Sequence, residues 1–101
     1  MTNSGVTNIR EIFSALGDQS RYQIYSLLTI YPGICVSELA SQLNVSIPAV
    51  SQQLKILENS GLIKHIREGK KVCYQVSQDF EEYQQISQII RMDQKLIHNK
   101  E

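Results

Sequence analysis

No apolar run in this chain approaches the roughly 18 residues of a membrane-spanning helix. The opening Met1–Asn8 is polar, without the apolar core of a secretory signal. The expectation is therefore a cytoplasmic protein. Cysteine is scarce: Cys35 and Cys73 are the only two, too few for the disulfide framework of a small secreted domain. No nucleophile–base constellation, phosphate-cradling glycine loop or carboxylate pair stands out, so an enzyme is not expected. Internal repeats, linkers and low-complexity tracts are missing as well. So is net charge. Ten Lys and Arg balance ten Asp and Glu, which at first sight argues against a nucleic-acid partner.

The distribution of that charge points the other way. Between Asn44 and Ser77, five basic residues (Lys55, Lys64, Arg67, Lys70, Lys71) face two acids (Glu58, Glu68). The flanking segments are each slightly acidic. Local positive charge is what matters for binding phosphate. At 101 residues, with 42% hydrophobic and 20% charged, the chain fits one ordinary globular domain. It reads as a frayed tail over residues 1–7 and a single domain over 8–101.

The stretch Val36–Ser60 organises the rest. Val36, Leu39, Ala40 and Leu43 form one helical stripe, and Ile47, Val50, Leu54 and Leu57 form another. Between them lies Leu43-Asn44-Val45-Ser46. Asn44 tolerates a left-handed backbone, Ser46 suits an N-cap, and Pro48 is harmless in a first turn. Val45 and Val50 are placed for a hydrophobic staple. Two helices joined by such a turn make a helix-turn-helix, whose second helix can enter a DNA major groove.

Ahead of this pair, Ile9, Ile12, Phe13 and Leu16 mark a first helix stopped by Gly17. Asp18 is a good N-cap for a second helix with the stripe Ile24, Leu27, Leu28 and Tyr31, ended by Pro32-Gly33. Ile34-Cys35 is a short apolar bridge, at most a minimal strand. Beyond Ser60-Gly61 the period becomes two. Val72, Tyr74 and Val76 alternate with polar neighbours, Leu62–Arg67 supplies a partner strand, and Glu68-Gly69-Lys70 the turn. This hairpin carries Arg67, Lys70 and Lys71 at its tip, as a wing that lays cations on the sugar-phosphate backbone would. A last helix is expected from an N-cap at Asp79 to about His98. Its apolar residues, with those of the first helix, exceed what so small a core needs. Ile9, Ile12, Phe13, Leu16, Phe80, Tyr83, Ile86, Ile90 and Ile97 are the expected dimer interface.

The resulting fold class is mainly α with a small β-hairpin, a winged helix-turn-helix ordered α-α-α-α-β-β-α. In that order, and in particular stretches, the chain resembles the ArsR/SmtB family of winged-helix transcriptional repressors. The carriers are Leu16–Tyr22, Val36–Ala40, Gly61–Ile63 and Glu68–Tyr74, and most specifically Ser46-Ile47-Pro48-Ala49-Val50-Ser51-Gln52-Gln53-Leu54-Lys55-Ile56-Leu57. The resemblance implies a homodimer that binds a pseudo-palindromic operator and releases it when an inducer, often a metal ion, binds. The metal part carries over poorly. The family's Glu-Leu-Cys-Val-Cys-Asp-Leu thiolate motif faces Gly33-Ile34-Cys35-Val36-Ser37-Glu38-Leu39 here, so Cys35 alone matches and Ser37 replaces the second thiol. The last helix offers Asp79, Asp93 and His98 without paired spacing. No cofactor or metal site is expected, since a zinc-like site wants about four ligands.

Expected DNA contacts are Ser46, Ile47, Ala49, Ser51, Gln52 and Gln53 on the reading helix, where glutamine can pair with adenine bidentately. Lys55, Arg67, Lys70 and Lys71 would neutralise phosphates. Arg21 is better placed for an intramolecular ion pair, and His65 for solvent. Cys35 and Cys73 can come close if Ile34-Cys35 pairs with the second hairpin strand. Intracellular cysteines mostly serve as small buried hydrophobes; the alternative is a thiol switch. A rival function is a winged-helix module for protein–protein contact, because a fold does not dictate function.

Overall fold

The computed structural model describes residues 8–99, with side chains through Lys95. The tail expected over residues 1–7, and the side chains of Ile97 and His98, lie outside the described residues. Five helices and three strands follow in the order α1 (Ile9–Leu16), α2 (Gln19–Ile30), β1 (Ile34–Cys35), α3 (Val36–Leu43), α4 (Ile47–Asn59), β2 (Ile63–Glu68), β3 (Lys71–Val76) and α5 (Tyr83–Asn99).

Local signals place most of these boundaries. The Asn8 side chain accepts from the Glu11 amide at 3.0 Å, and Asp18 from the Arg21 amide at 3.1 Å, capping α1 and α2. Gly17 closes α1 because nothing larger fits, since a Cβ there would stand 2.8 Å from the Phe13 carbonyl oxygen. At the end of α3, Asn44 adopts the left-handed conformation (φ 58°, ψ 46°). Its N–H reaches the Ser41 carbonyl while that of Val45 reaches Ala40, a Schellman ending. Ser46 then caps α4 by accepting from the Ala49 amide at 3.2 Å.

The hairpin turns at Gly69-Lys70, with Glu68 opposite Lys71 and Gly69 at φ 64°, a conformation that suits glycine. β1 adds to its other edge, so the sheet has three strands in the order β1-β3-β2, all antiparallel. The minimal strand therefore exists and pairs with β3.

The core gathers Ile12 and Ala15 of α1, Ile24, Tyr25 and Leu28 of α2, Leu39 and Ala40 of α3, and Val50, Leu54 and Leu57 of α4. Leu62 and Ile63 close it from the hairpin side, and Phe80, Ile86 and Ile90 from the C-terminal side. Three sequence expectations change here. Tyr31 is exposed and Tyr25 takes the buried place, because α2 turns its other flank to the core. Among the described residues the Tyr25 hydroxyl has no hydrogen-bond partner, and burial, then the nearby Tyr83, pushes its pKa upward. Second, Asp79 does not cap α5. Its N–H bonds to the Ser77 hydroxyl, an intervening turn runs through Phe80, and the helix starts at Tyr83.

The third correction concerns the interface residues. Ile12, Phe80, Ile86 and Ile90 are buried inside the protomer, and Leu16 and Tyr83 pack partly against the same core. The four buried side chains are not available to an exposed apolar face, and Leu16 and Tyr83 are available only in part. Ile9 and Phe13 do remain exposed, the latter at 60%, and on α5 they are joined by Ile89 at 58% and Met92 at 65%. Each of these helices carries apolar residues on both its buried and its exposed side, and sequence spacing does not separate the two.

Candidate nucleic-acid interface

Helix α4 buries Val50, Leu54 and Leu57 and leaves Ser51, Gln52 and Lys55 exposed on the opposite side. Ser46 and Ala49 are exposed at its N-terminal end, and Ile47, half exposed, turns toward the wing. Arg67, Lys70 and Lys71 are exposed at the hairpin tip. Ile47, Ser51, Lys70 and Lys71 line one cavity of about 490 Å³ that separates reading helix from wing. The structure thus brings the helix start and the basic hairpin tip to one side of the molecule.

The two central glutamines differ. Gln52 is exposed, whereas Gln53 is half-buried and its Oε1 accepts from Arg21 Nη1 at 3.0 Å. Arg21 is itself fixed, because its Nε donates to the Ala15 carbonyl at 2.8 Å and Asp18 lies 4.0 Å away. The expected ion pair of Arg21 is present but is the looser of its contacts. Its main work is to hold α4 through Gln53, a tie between residues 32 apart that no local pattern announces.

A second tie joins reading helix and wing. Glu58, near the end of α4, meets His65 Nδ1 on β2. His65 is half exposed, as expected, but partnered. Its ring also stands edge-on to Tyr74. Burial, then the Glu58 charge, raises the Tyr74 pKa.

A third set ties α5 to α2. The Tyr22 hydroxyl donates to Asp93 Oδ2 at 2.5 Å, and Gln94 Nε2 donates to the Ser26 hydroxyl at 2.6 Å and to Thr29. Burial, followed by the Asp93 bond, pushes the Tyr22 pKa up to about 12.

The family resemblance implies an inducer metal, for which Cys35, Asp79, Asp93 and His98 are the candidate donors, the His98 side chain lying outside the described residues. Cys35 is bonded to Cys73, so it supplies no thiolate, and Asp93 is already engaged by Tyr22. Among the described residues no three His, Cys, Asp or Glu side chains converge as metal ligands do.

Comparison with known proteins agrees with this architecture. The family model for bacterial regulatory proteins of the arsR family matches residues 18–65. A helix-turn-helix transcriptional regulator of Methanocaldococcus jannaschii is 31% identical over 86 residues, covering 85% of this chain and 91% of that protein. The chain belongs to the arsR family. Members of this family are regulators of transcription, not enzymes. The Synechocystis homologue of the transcriptional repressor SmtB is 43% identical to this arsR-family chain over 67 residues, 66% of the chain. The chain spans about half the length of that relative. Among solved structures, reduced HlyU from Vibrio cholerae superposes with a TM-score of 0.73 at 28% identity, covering 86% of this chain and 85% of that one. The fold is the winged helix-turn-helix.

Proposed function

We propose that this protein is a sequence-specific double-stranded-DNA-binding transcriptional repressor that acts as a homodimer. The observation that carries the reading is the pairing of an exposed polar face on α4 with an exposed basic hairpin tip beside it. α4 enters the major groove, where Ser46, Ile47, Ala49, Ser51 and Gln52 approach base edges. Gln53 contributes mainly by steadying the helix, since Arg21 already occupies its oxygen. Lys55, Arg67, Lys70 and Lys71 neutralise phosphates, an effect that is salt-dependent and nearly blind to sequence. The exposed Ile9, Phe13, Ile89 and Met92 supply the apolar seam between protomers. Two-fold symmetry then requires a pseudo-palindromic operator with half-sites one helical turn apart, or a multiple.

No helix among the described residues is long and apolar enough to cross a membrane. The working site is the cytoplasm, where the operator is. The inducer, on this reading, is not a metal ion held by Cys35.

Titration of the purified protein against the DNA upstream of its own gene, at several salt concentrations, tests the proposal. Specific binding should exceed binding to scrambled duplex, and Lys70→Ala should lower the salt slope by about 1. Equal affinity for both duplexes would sink it.

A further inference from the structure

Cys35 and Cys73 stand directly opposite each other in the β1–β3 pair, and their sulfurs are bonded. The bridge joins residues 38 apart in sequence. The loop it closes contains all of α3, α4 and β2. Every residue assigned above to DNA contact lies inside that loop. One end of the bridge is the N-cap of α3, where the Cys35 N–H is held by the Glu38 carboxylate at 3.0 Å. The other end is the inner strand of the wing, two residues after Lys71.

The two sulfurs differ in access. Cys73 is 3% exposed. Cys35 is half-buried and lines the same 490 Å³ cavity as Ile47, Ser51, Lys70 and Lys71. An attacking thiolate therefore reaches Cys35 from the groove between reading helix and wing, while Cys73 is shielded and positioned to leave.

We propose that Cys35–Cys73 is a reversible thiol–disulfide exchange site for small thiols, and that its bridged form binds DNA more tightly than its open form. This rests on the DNA-binding function proposed above. In the opening direction, the thiolate of a low-molecular-weight monothiol attacks the Cys35 sulfur. The Cys35–Cys73 bond breaks, and Cys73 leaves as a thiolate that takes a proton from water. A second small thiolate attacks the small-molecule sulfur of the mixed disulfide and releases Cys35, which is likewise protonated. Two small thiols are oxidised to one small disulfide, and their two electrons reduce the protein bridge. A small disulfide runs the same steps backward.

The coupling to DNA has two physical sources. Without the bridge, β1 offers the wing only the pairs Ile34–Tyr74 and Cys35–Cys73, so the wing tip loses its covalent tie to the start of α3. Ordering it on DNA then costs more. The mixed disulfide also places its adduct in the groove the duplex would occupy. Bacterial regulators work in a compartment kept reducing, where protein disulfides are usually transient or sensing rather than structural.

The test uses the full chain, glutathione and glutathione disulfide, and a mixed-sequence duplex at low salt, because wing contacts are sequence-blind. Intact mass distinguishes the bridged form by the loss of two hydrogens. Bridged protein should bind at least about fivefold more tightly than reduced protein, the low end of coupling between two sites. Cys35→Ser retains a capping oxygen for α3 and should keep the reduced-state affinity in both buffers. Reduced wild-type protein blocked with iodoacetamide gives a second permanently open form should that variant fold poorly. Equal affinity in the two states, tighter binding by the reduced form, or a Cys35→Ser protein that still responds overturns the inference. Failure to bind the duplex in either state overturns the DNA-binding function itself, and this inference with it.

Discussion

The stretch from α3 through the wing and the pair formed by α1 and α5 use apolar residues to different ends. In the first, Leu39, Val50, Leu54 and Leu57 are spent inside the protomer, and the side left outside is mostly polar or basic, as Ser51, Gln52, Lys55 and Lys70 show, with Ile47 and Ile56 as apolar exceptions. In the second, apolar residues occupy both sides. Ile12, Ile86 and Ile90 face inward, while Phe13, Ile89 and Met92 face out. A helix needing one partner has one stripe. A helix needing two has a stripe too wide to be divided by spacing alone.

Substitutions on the inward side of α5 and the outward side of α1 should break this comparison most sharply. Ile90→Ala empties a 2%-exposed site and should cost about 2–5 kcal/mol in urea unfolding. If α1 lies in the proposed seam, Phe13→Glu should leave helical content intact and give a monomer in sedimentation where the unaltered protein gives a dimer. A variant that stayed dimeric would remove α1 from the seam. Within the reading region, the adjacent glutamines should separate next. Gln52→Ala should lose roughly 1–3 kcal/mol of discrimination at one base position in competition binding. Gln53→Ala should instead lower stability by about 1 kcal/mol, with base preference nearly unchanged. Ser46→Ala removes the α4 cap and should cost about 1 kcal/mol, measured by thermal melting.

The smallest effect is expected at the α2–α5 tie. The Tyr22 pKa is raised to about 12 from an ordinary 10, so the protonated hydroxyl is the form that the fold favours. Its contribution is complete below pH 10 and fades as pH climbs through about 12. Tyr22→Phe should melt lower than wild type at neutral pH, and the gap should narrow in that alkaline window. A gap constant with pH would show that neither burial nor the Asp93 bond favours the protonated hydroxyl in the fold.

Where the cause of structure is near in sequence, the sequence showed it. Asp18, Asn44 and Ser46 act within three residues of themselves, and each stands where its chemistry indicated. The wing turn is similar, since Gly69 answers a backbone demand of its own position. Features made by distant residues were hidden. Nothing around Arg21 announces Gln53, and nothing around Glu58 singles out His65. Tyr25 displaced Tyr31 from the core because α2 is sandwiched between other elements, and hydropathy counts both tyrosines alike. Asp79 is not the cap because a turn through Phe80 intervenes and α5 starts only at Tyr83. The approach of Cys35 to Cys73 was readable only because a winged-helix layout had already been assumed.

Arg21 and Tyr22 are neighbours in the chain that reach in opposite directions, one gripping α4 through Gln53 and the other gripping α5 through Asp93. One turn of α2 thereby acts as a crossbar spanning the molecule. If α5 carries the proposed seam between protomers, a displacement of α5 reaches, through Asp93 and Tyr22, the residue next to the one that holds α4.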